Sequence, residues 1–162
     1  MTRVEIARRQ AERTLDRLLR VFDRAVLRIP PERLDFRPTP ENMSAMTMAH
    51  HVYEVVLLTA LGLDRGEVSR EDADARGLDL STVERPEQLV AWGDEVKEYA
   101  RGVVAGLTDE ALDRPIRYYF GMAARGEDSL RTLTEEVLHH RGQMQVYLRL
   151  MGVEPPSLRD FS

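Results

Sequence analysis

Residues 129–152 read SLRTLTEEVLHHRGQMQVYLRLMG, and their spacing predicts a long amphipathic helix. Positions suited to a protein core recur every three or four residues, which places them on one side of an α-helix. They are Leu130, Leu133, Val137, His140, Met144, Tyr147 and Met151. Gly152 ends the pattern shortly before Pro155 and Pro156, as expected for a helix C-terminus. One histidine therefore lies within the stripe that should face the core.

Three further helices are predicted upstream. Periodicity and end signals place them at about residues 2–27, 44–66 and 86–107. Ser44 is a good N-cap for the second helix, and Pro86 suits the first turn of the third. The long connections, residues 64–85 and 108–127, show no convincing strand pair. The sequence therefore predicts one all-α domain over residues 1–162, a four-helix bundle with at least one long crossover connection.

The second predicted helix contains an unusually apolar run at residues 45–63. His50, His51 and Glu54 lie near its middle, where ionisable groups would be costly in lipid, so we do not expect a membrane span. A helix that is apolar nearly all round in a soluble chain is buried on more than one side. We expect one face to meet the bundle core and another to meet a second subunit.

Composition narrows the class of protein. The chain has 28 acidic and 23 basic residues, a net charge of −5, and its basic residues are scattered, so duplex nucleic acid is not an expected partner. The N-terminus is charged throughout and lacks the apolar stretch of a secretory signal, which predicts a cytoplasmic protein. There is no cysteine, so any thiol chemistry would need an external thiol. At 162 residues the chain needs no structural metal to fold, and a bound metal would be functional.

All four histidines stand in two adjacent pairs, at positions 50–51 and 139–140. Imidazole is a common metal ligand, and Glu136 lies one helical turn before His140 on the same side of the helix. Adjacent residues are about 100° apart around a helix, so only one histidine of each pair should face a shared metal. His140 is the choice in the second pair because it lies on the core stripe.

Periodicity leaves the first pair open. His51 aligns with Met48, Val55 and Leu58, whereas His50 aligns with apolar residues and with Glu54. We favour His51, but His50 and Glu54 form a rival set with the same local geometry as Glu136 and His140. Both sets together would make a two-metal site, which we do not expect.

Two segments resemble the DinB/YfiT-like superfamily. The segment EVLHHRGQMQVYLRLMGVEPP, residues 136–156, is similar to its C-terminal signature, in which a ligand histidine opens a His-Arg-Gly-Gln stretch. The segment LDFRPTPENMSAMTMAHHVYE, residues 34–54, resembles the turn and serine that precede its first ligand. Counting from Ser44 by the family pattern leads to His51. The resemblance implies a four-helix bundle, often a homodimer, with zinc or nickel held by His51, Glu136 and His140.

Many members of the superfamily have a histidine where this chain has Glu136, but the branch similar to mycothiol-dependent maleylpyruvate isomerase uses a His, Glu, His set. Two neutral imidazoles and one carboxylate would leave a divalent ion with one net positive charge, able to polarise water or a thiolate. The resemblance implies an S-transferase that uses a low-molecular-weight thiol of bacillithiol or mycothiol type on electrophilic small molecules. The alternatives are a hydrolase with metal-bound water and a non-catalytic dimeric, stress-related bundle.

Other residues have less certain roles. Gln143 is placed to hydrogen-bond a metal-binding side chain without touching the metal, although a hydrogen bond between helices explains it equally well. Arg141 is next to a ligand but on another side of the helix, so pairing at the surface or at an interface competes with substrate binding. Tyr118 and Tyr119, with Phe120, either line a substrate mouth or pack over the bundle end. His50 and His139 remain flanking residues.

Overall fold

The computed structural model describes residues 1–159 of the 162-residue chain, and most of them are helical. The helices are α1 (Arg3–Arg13), α2 (Leu19–Val26), α3 (Ala45–Arg65), α4 (Arg70–Asp74), α5 (Pro86–Ala105), α6 (Asp109–Asp113) and α7 (Gly126–Leu150). Short 3-10 turns lie at Pro31–Arg33 and Leu80–Thr82. Four long helical stretches therefore form at the positions that periodicity predicts.

The first stretch is one helical run with a widened turn inside it. A π-helical segment, Thr14–Leu18, joins α1 to α2 without a break. Thr2 caps the run: its hydroxyl accepts from the Glu5 amide, and the Glu5 carboxylate accepts from the Thr2 amide. Apolar residues recur every three or four positions along the run and are buried, namely Ala7, Ala11, Leu15, Leu18, Phe22 and Ala25. The predicted helix over residues 2–27 is thus confirmed, with a local irregularity that the spacing does not reveal.

The most apolar helix, α3, is a core helix of this chain. The Ser44 hydroxyl accepts from the Thr47 amide at its start, and Gly66, at φ 80°, ends it in the left-handed conformation. By length and hydropathy α3 would be able to cross a membrane, but 67% of its most apolar window is buried in the protein. It packs mainly against α5 and α7. These contacts account for its composition, so the second subunit that we expected on its other face is not needed to explain it.

A small three-stranded sheet closes the end of the helices where α3 finishes. Its strands are β1 (Glu67–Val68), β2 (Pro115–Tyr118) and β3 (Ala123–Arg125). β1 pairs parallel with β2, and β2 pairs antiparallel with β3. The prediction that the connections form no strand pair is therefore wrong. Strands of two to four residues are too short to show the alternating pattern from which strands are predicted.

A buried ionic cluster lies between three of the helices. The Lys97 ammonium on α5 donates to the Asp23 carboxylate on α2, and the Tyr53 hydroxyl on α3 donates to the same carboxylate at 2.7 Å. Burial raises the pKa of Asp23, although the charge of Lys97 and both hydrogen bonds oppose this rise. Lys97 is the only lysine in the sequence. The cluster ties three helices together at one carboxylate.

Replacing Lys97 by methionine should lower the free energy of unfolding by about 3 kcal/mol, because the buried Asp23 carboxylate loses its cation. Adding Asp23→Asn should recover most of that loss, since no charge then remains to be compensated. The matched control is Arg101→Met, which breaks the exposed ion pair with Asp16 at 2.9 Å and should cost less than about 1 kcal/mol. Urea unfolding measures all three, and equal losses for the two single variants would contradict the prediction.

Candidate metal centre

The candidate site lies where α3 packs antiparallel against α7. A tyrosine hydroxyl makes a hydrogen bond near each end of this helix pair. Tyr147, near the end of α7, donates to the Met43 carbonyl just before α3 at 3.0 Å. At the opposite end, the Tyr118 hydroxyl donates to Ser129 in the first turns of α7 at 3.2 Å. The first contact joins α7 to the segment before α3, and the second joins α7 to β2, whose Tyr118 hydroxyl also lies beside Gly62 of α3. His51 on α3 lies opposite Glu136 in the middle of α7.

Three side chains converge between the two helices. One oxygen of Glu136, Oε2, lies 3.2 Å from Nε2 of His51 and 3.2 Å from Nε2 of His140. The possible ligand atoms of the three residues all lie within 4.8 Å of one another. His140 is buried, whereas the side chains of His51 and Glu136 are 33% and 35% exposed. The cluster is therefore closed towards the core and open on one side to solvent.

Gln143 determines which nitrogen of His140 faces the cluster. The amide oxygen of Gln143 lies 2.6 Å from Nδ1 of His140, and an amide oxygen only accepts, so Nδ1 carries a proton. In the neutral ring Nε2 then has a free lone pair directed at Glu136. Burial lowers the pKa of His140 and outweighs the opposing hydrogen bond to Gln143. His140 is therefore a neutral imidazole at pH 7, the form that binds metals.

The electrostatics of the cluster favour a cation. Burial alone would raise the pKa of Glu136, but the hydrogen bond with His51 and the electrostatic influence of the His140 and His51 side chains lower it overall. The carboxylate is thus ionised. An ionised oxygen facing the lone pair of a neutral imidazole is repulsive unless a proton or a metal ion lies between them.

The donor set also fits a divalent metal in its dimensions. Nitrogen and oxygen ligands lie about 2.1 Å from zinc, so two ligands of a tetrahedral ion are about 3.4 Å apart. The two separations of 3.2 Å at Glu136 are close to that value. Two imidazoles and one carboxylate are three of the four ligands of an open zinc site.

The neighbouring histidines face other directions. The ring of His50 stacks on Trp92 of α5, with centroids 4.7 Å apart and planes 18° from parallel. Burial lowers the pKa of His50, although the Glu54 carboxylate opposes this. His139 is exposed, and its ring meets that of His140 edge-on at 4.9 Å. Among residues 1–159, the rival set of His50 and Glu54 forms no three-residue cluster.

The other candidate residues fall into two groups. Gln143 contacts His140 of the cluster, as the sequence suggests for a residue that hydrogen-bonds a ligand side chain. Arg141 does not: it is half-buried, and its pKa is lowered by burial and then by the charge of Arg13 on α1. Within residues 1–159 no hydrogen bond or ion pair joins Arg141 to the histidine cluster.

Tyr118 and Tyr119 lie at the sheet end of the pair formed by α3 and α7. The Tyr118 ring stacks on Phe120 at 5.3 Å, and its hydroxyl contacts Ser129. The guanidinium of Arg70 covers the Tyr119 ring at 4.3 Å. Within residues 1–159 no hydrogen bond or ring contact joins either tyrosine to the histidine cluster. Their contact with a substrate stays a prediction.

The sequence did not predict two hydrogen bonds of tyrosine hydroxyls, Tyr147 with Met43 and Tyr118 with Ser129. One signal was available, because Tyr147 stands in the predicted core stripe and a buried tyrosine hydroxyl needs a hydrogen-bond partner. The acceptor is a backbone carbonyl in a distant loop, which periodicity cannot identify. The stacking of His50 on Trp92 was not predicted either, because the two rings lie on different helices that are distant in sequence.

Comparisons with known proteins identify the family and the fold of this chain. The DinB superfamily model matches residues 10–144. The protein YjoA of Bacillus subtilis (strain 168), whose function is uncharacterised, is 26% identical over 131 residues, which cover 77% of this chain and 78% of YjoA.

Two crystal structures share the fold. The DinB-like protein YjoA superposes with a TM-score of 0.71 at 22% identity, covering 93% of this chain and 97% of that one. A protein from Exiguobacterium sibiricum 255-15, assigned to the DinB family, gives 0.63 at 24% identity, covering 94% and 97%. The resemblance found in the sequence is confirmed, and the chain belongs to the DinB superfamily.

Proposed function

We propose that this protein is a divalent-metal-dependent enzyme whose metal, zinc or nickel, is held by His51, Glu136 and His140. The observation that carries the proposal is the convergence of three ligand atoms within 4.8 Å, one of them on a ring whose tautomer Gln143 determines. A ligand histidine with its second nitrogen hydrogen-bonded in this way is the usual arrangement in metalloenzymes.

Each residue of the site has a distinct part. His140 is the buried ligand, and His51 and Glu136 complete the set from the solvent side, where partial exposure leaves room for a reactant. The Glu136 carboxylate removes one positive charge from the site. When bound, a divalent ion with three protein ligands supplies a Lewis acid that lowers the pKa of a coordinated thiol or water.

The most specific function we propose is transfer of an external low-molecular-weight thiol, of bacillithiol or mycothiol type, to an electrophilic small molecule. Two features support it: membership of the DinB superfamily and a chain without cysteine. The chain itself offers no thiol nucleophile, so a thiol reaction would need a second substrate. A hydrolase using the same site is the alternative, and a non-catalytic bundle is the outcome if neither reaction occurs.

The proposal extends to the assembly and location of the protein. The four long helical stretches would form a four-helix bundle of the DinB type, one domain over residues 1–162, of which the last three lie outside the described residues. We propose a cytoplasmic homodimer that acts on a small molecule and binds neither nucleic acid nor membrane. Sedimentation of the full chain would test the dimer.

Protein purified without a histidine tag should contain one equivalent of zinc or nickel, measured by mass spectrometry of the metal. His51→Ala and His140→Ala should reduce the metal content to about a tenth or less, because loss of one of three ligands weakens an open site severely. His139→Ala is the matched control, since that exposed side chain is adjacent to the site but outside it. Wild-type protein that neither contains nor takes up metal would refute the proposal.

Gln143→Leu should lower metal affinity by about ten- to a hundredfold while leaving the fold intact, because the His140 ring loses the acceptor that orients it. Competition with a chromogenic chelator measures the affinity, and circular dichroism checks the fold. Gln143→Glu should retain or raise the affinity, since a carboxylate accepts the same hydrogen bond. If the leucine variant binds metal as tightly as the wild type, Gln143 has no part in orienting the ligand.

Incubation with a monochlorobimane-type electrophile should give turnover with bacillithiol or mycothiol and none without thiol. His140→Ala should slow it by about a hundredfold or more, because Lewis-acid stabilisation is worth several kcal/mol. Turnover of an ester probe without thiol would indicate the hydrolase instead. Metal-loaded protein that is inactive in both assays would point to the non-catalytic bundle.

A further inference from the structure

The outer side of α7 is exposed and apolar along three turns of the helix. Leu138, Val146 and Leu150 are 43%, 52% and 56% exposed, and together with the exposed Gly142 they recur every four residues. Residues spaced by four form a continuous ridge on an α-helix. The middle of this ridge, Gly142, lies about 160° around the helix from His140, so the ridge is turned away from the core.

Two other exposed apolar side chains lie beside the ridge. Ile6 of α1 lines one groove together with Leu138, and Leu158 of the C-terminal segment lines a second groove together with Gly142 and Val146. Ten large apolar side chains are exposed among residues 1–159, and five of them belong to this ridge and its two flanks, which we call the α7 surface. Exposed apolar side chains that cluster in this way mark a surface for interaction.

Gly142 forms a depression in the middle of the α7 surface. Outside its own helix, no atom of residues 1–159 lies within 4 Å of the position that a Cβ would take there. Glycine weakens the interior of a helix relative to alanine, and no neighbour within the described chain requires it at this position. A second helix that crosses at Gly142 can approach closely, because no side chain holds the two axes apart.

The charges beside the ridge are opposite in sign at equal distances from Gly142. Glu135 precedes it by seven residues and Arg149 follows it by seven, about two helical turns in each direction. Glu135 lies 4.0 Å from the exposed Arg131, and Arg149 donates to the carbonyl of Gln145 at 3.3 Å, with no carboxylate beside it among residues 1–159. Such a pattern complements itself when two copies of the helix run antiparallel.

We propose that the α7 surface binds a second copy of this chain, with the two α7 helices antiparallel and the two-fold axis at Gly142. The homodimer belongs to the proposed function, and the α7 surface is where its two copies would meet. A closed two-fold contact between identical surfaces is the commonest arrangement in soluble oligomers.

The antiparallel arrangement brings complementary groups together on both sides of the axis. Leu138 meets the partner's Val146, at a groove of about 470 Å³ that Val146 and Leu158 line. Glu135 meets the partner's Arg149. A parallel arrangement would instead place each of these charges opposite its own copy, which is repulsive.

Sedimentation equilibrium of the full chain tests the surface. Val146→Glu should raise the dimer dissociation constant about a hundredfold or more, because each copy would bury a carboxylate against apolar side chains. Gly142→Leu should also dissociate the dimer while circular dichroism shows an intact fold, since leucine separates the helices but favours helix over glycine. Met122→Glu is the matched control: that apolar side chain is 63% exposed in the turn between β2 and β3, and its effect should be below about twofold.

Charge reversal tests the antiparallel register. Glu135→Arg and Arg149→Glu should each raise the dissociation constant about tenfold or more, because each variant places like charges opposite each other twice in the dimer. The double variant should recover most of the wild-type affinity, since opposite charges face each other again. A dimer formed through another surface would show no such recovery.

The absence of cysteine from the chain allows a direct test of the axis. Under mild oxidation, Gly142→Cys should form a disulfide between two copies, because a residue on a two-fold axis meets its own copy. Met122→Cys, equally accessible but outside the α7 surface, should remain monomeric on a non-reducing gel. Equal crosslinking of the two variants would contradict an axis at Gly142.

Three sedimentation results would overturn the proposal. Dimers that withstand both Val146→Glu and Gly142→Leu would meet on another surface, with the homodimer of the proposed function intact. Charge reversals that the double variant does not correct would exclude the antiparallel register. Monomeric wild-type protein would exclude both the surface and the homodimer, whereas the metal content of that protein would still test the metal-dependent enzyme separately.

Discussion

The antiparallel register between α3 and α7 is the constraint on which the candidate metal centre depends. At one end of this helix pair Tyr147 of α7 donates to the Met43 carbonyl just before α3, and at the other end Tyr118 of β2 donates to Ser129 of α7. A slip of one helical turn would move one helix by about 5.4 Å along the other, more than the 4.8 Å within which the ligand atoms lie. Burial of α3 on several sides by the rest of the chain makes such a slip costly.

Three sets of buried or half-buried ionisable groups differ in how their charges and polar atoms are compensated. Lys97 and Asp23 compensate each other within the core and link helices. His140 and Glu136 present a lone pair and a charge to each other, an arrangement that a bound cation would complete. Arg141 has buried donors without any acceptor among residues 1–159. Lys97 and Asp23 thus compensate each other within the chain, whereas a bound cation would stabilise the ionised Glu136 beside the lone pair of His140.

Relatives in the DinB superfamily share the fold at low sequence identity. At 22% and 24% identity, the two crystal structures still cover more than nine tenths of this chain. Core positions tolerate many apolar replacements as long as volume and pattern are kept. Pairs of ligand atoms have no such freedom, because a shift of one residue around a helix turns a side chain by about 100°. Function in this family is therefore best judged from the site of each member.

By itself, the sequence determined the positions of the long helices and the selection of His140 within its pair, because burial on one side imposes a period of 3.6 residues. It left His50 and His51 open, since α3 is apolar nearly all round, and only the family pattern favoured His51. Tertiary structure decided which of the two lies beside Glu136, because it turns His51 towards that carboxylate and stacks His50 on Trp92. It also decided the short sheet and the burial of Arg141 Nε and Nη1 without an acceptor among residues 1–159, because both depend on contacts between segments distant in sequence, which no local pattern encodes.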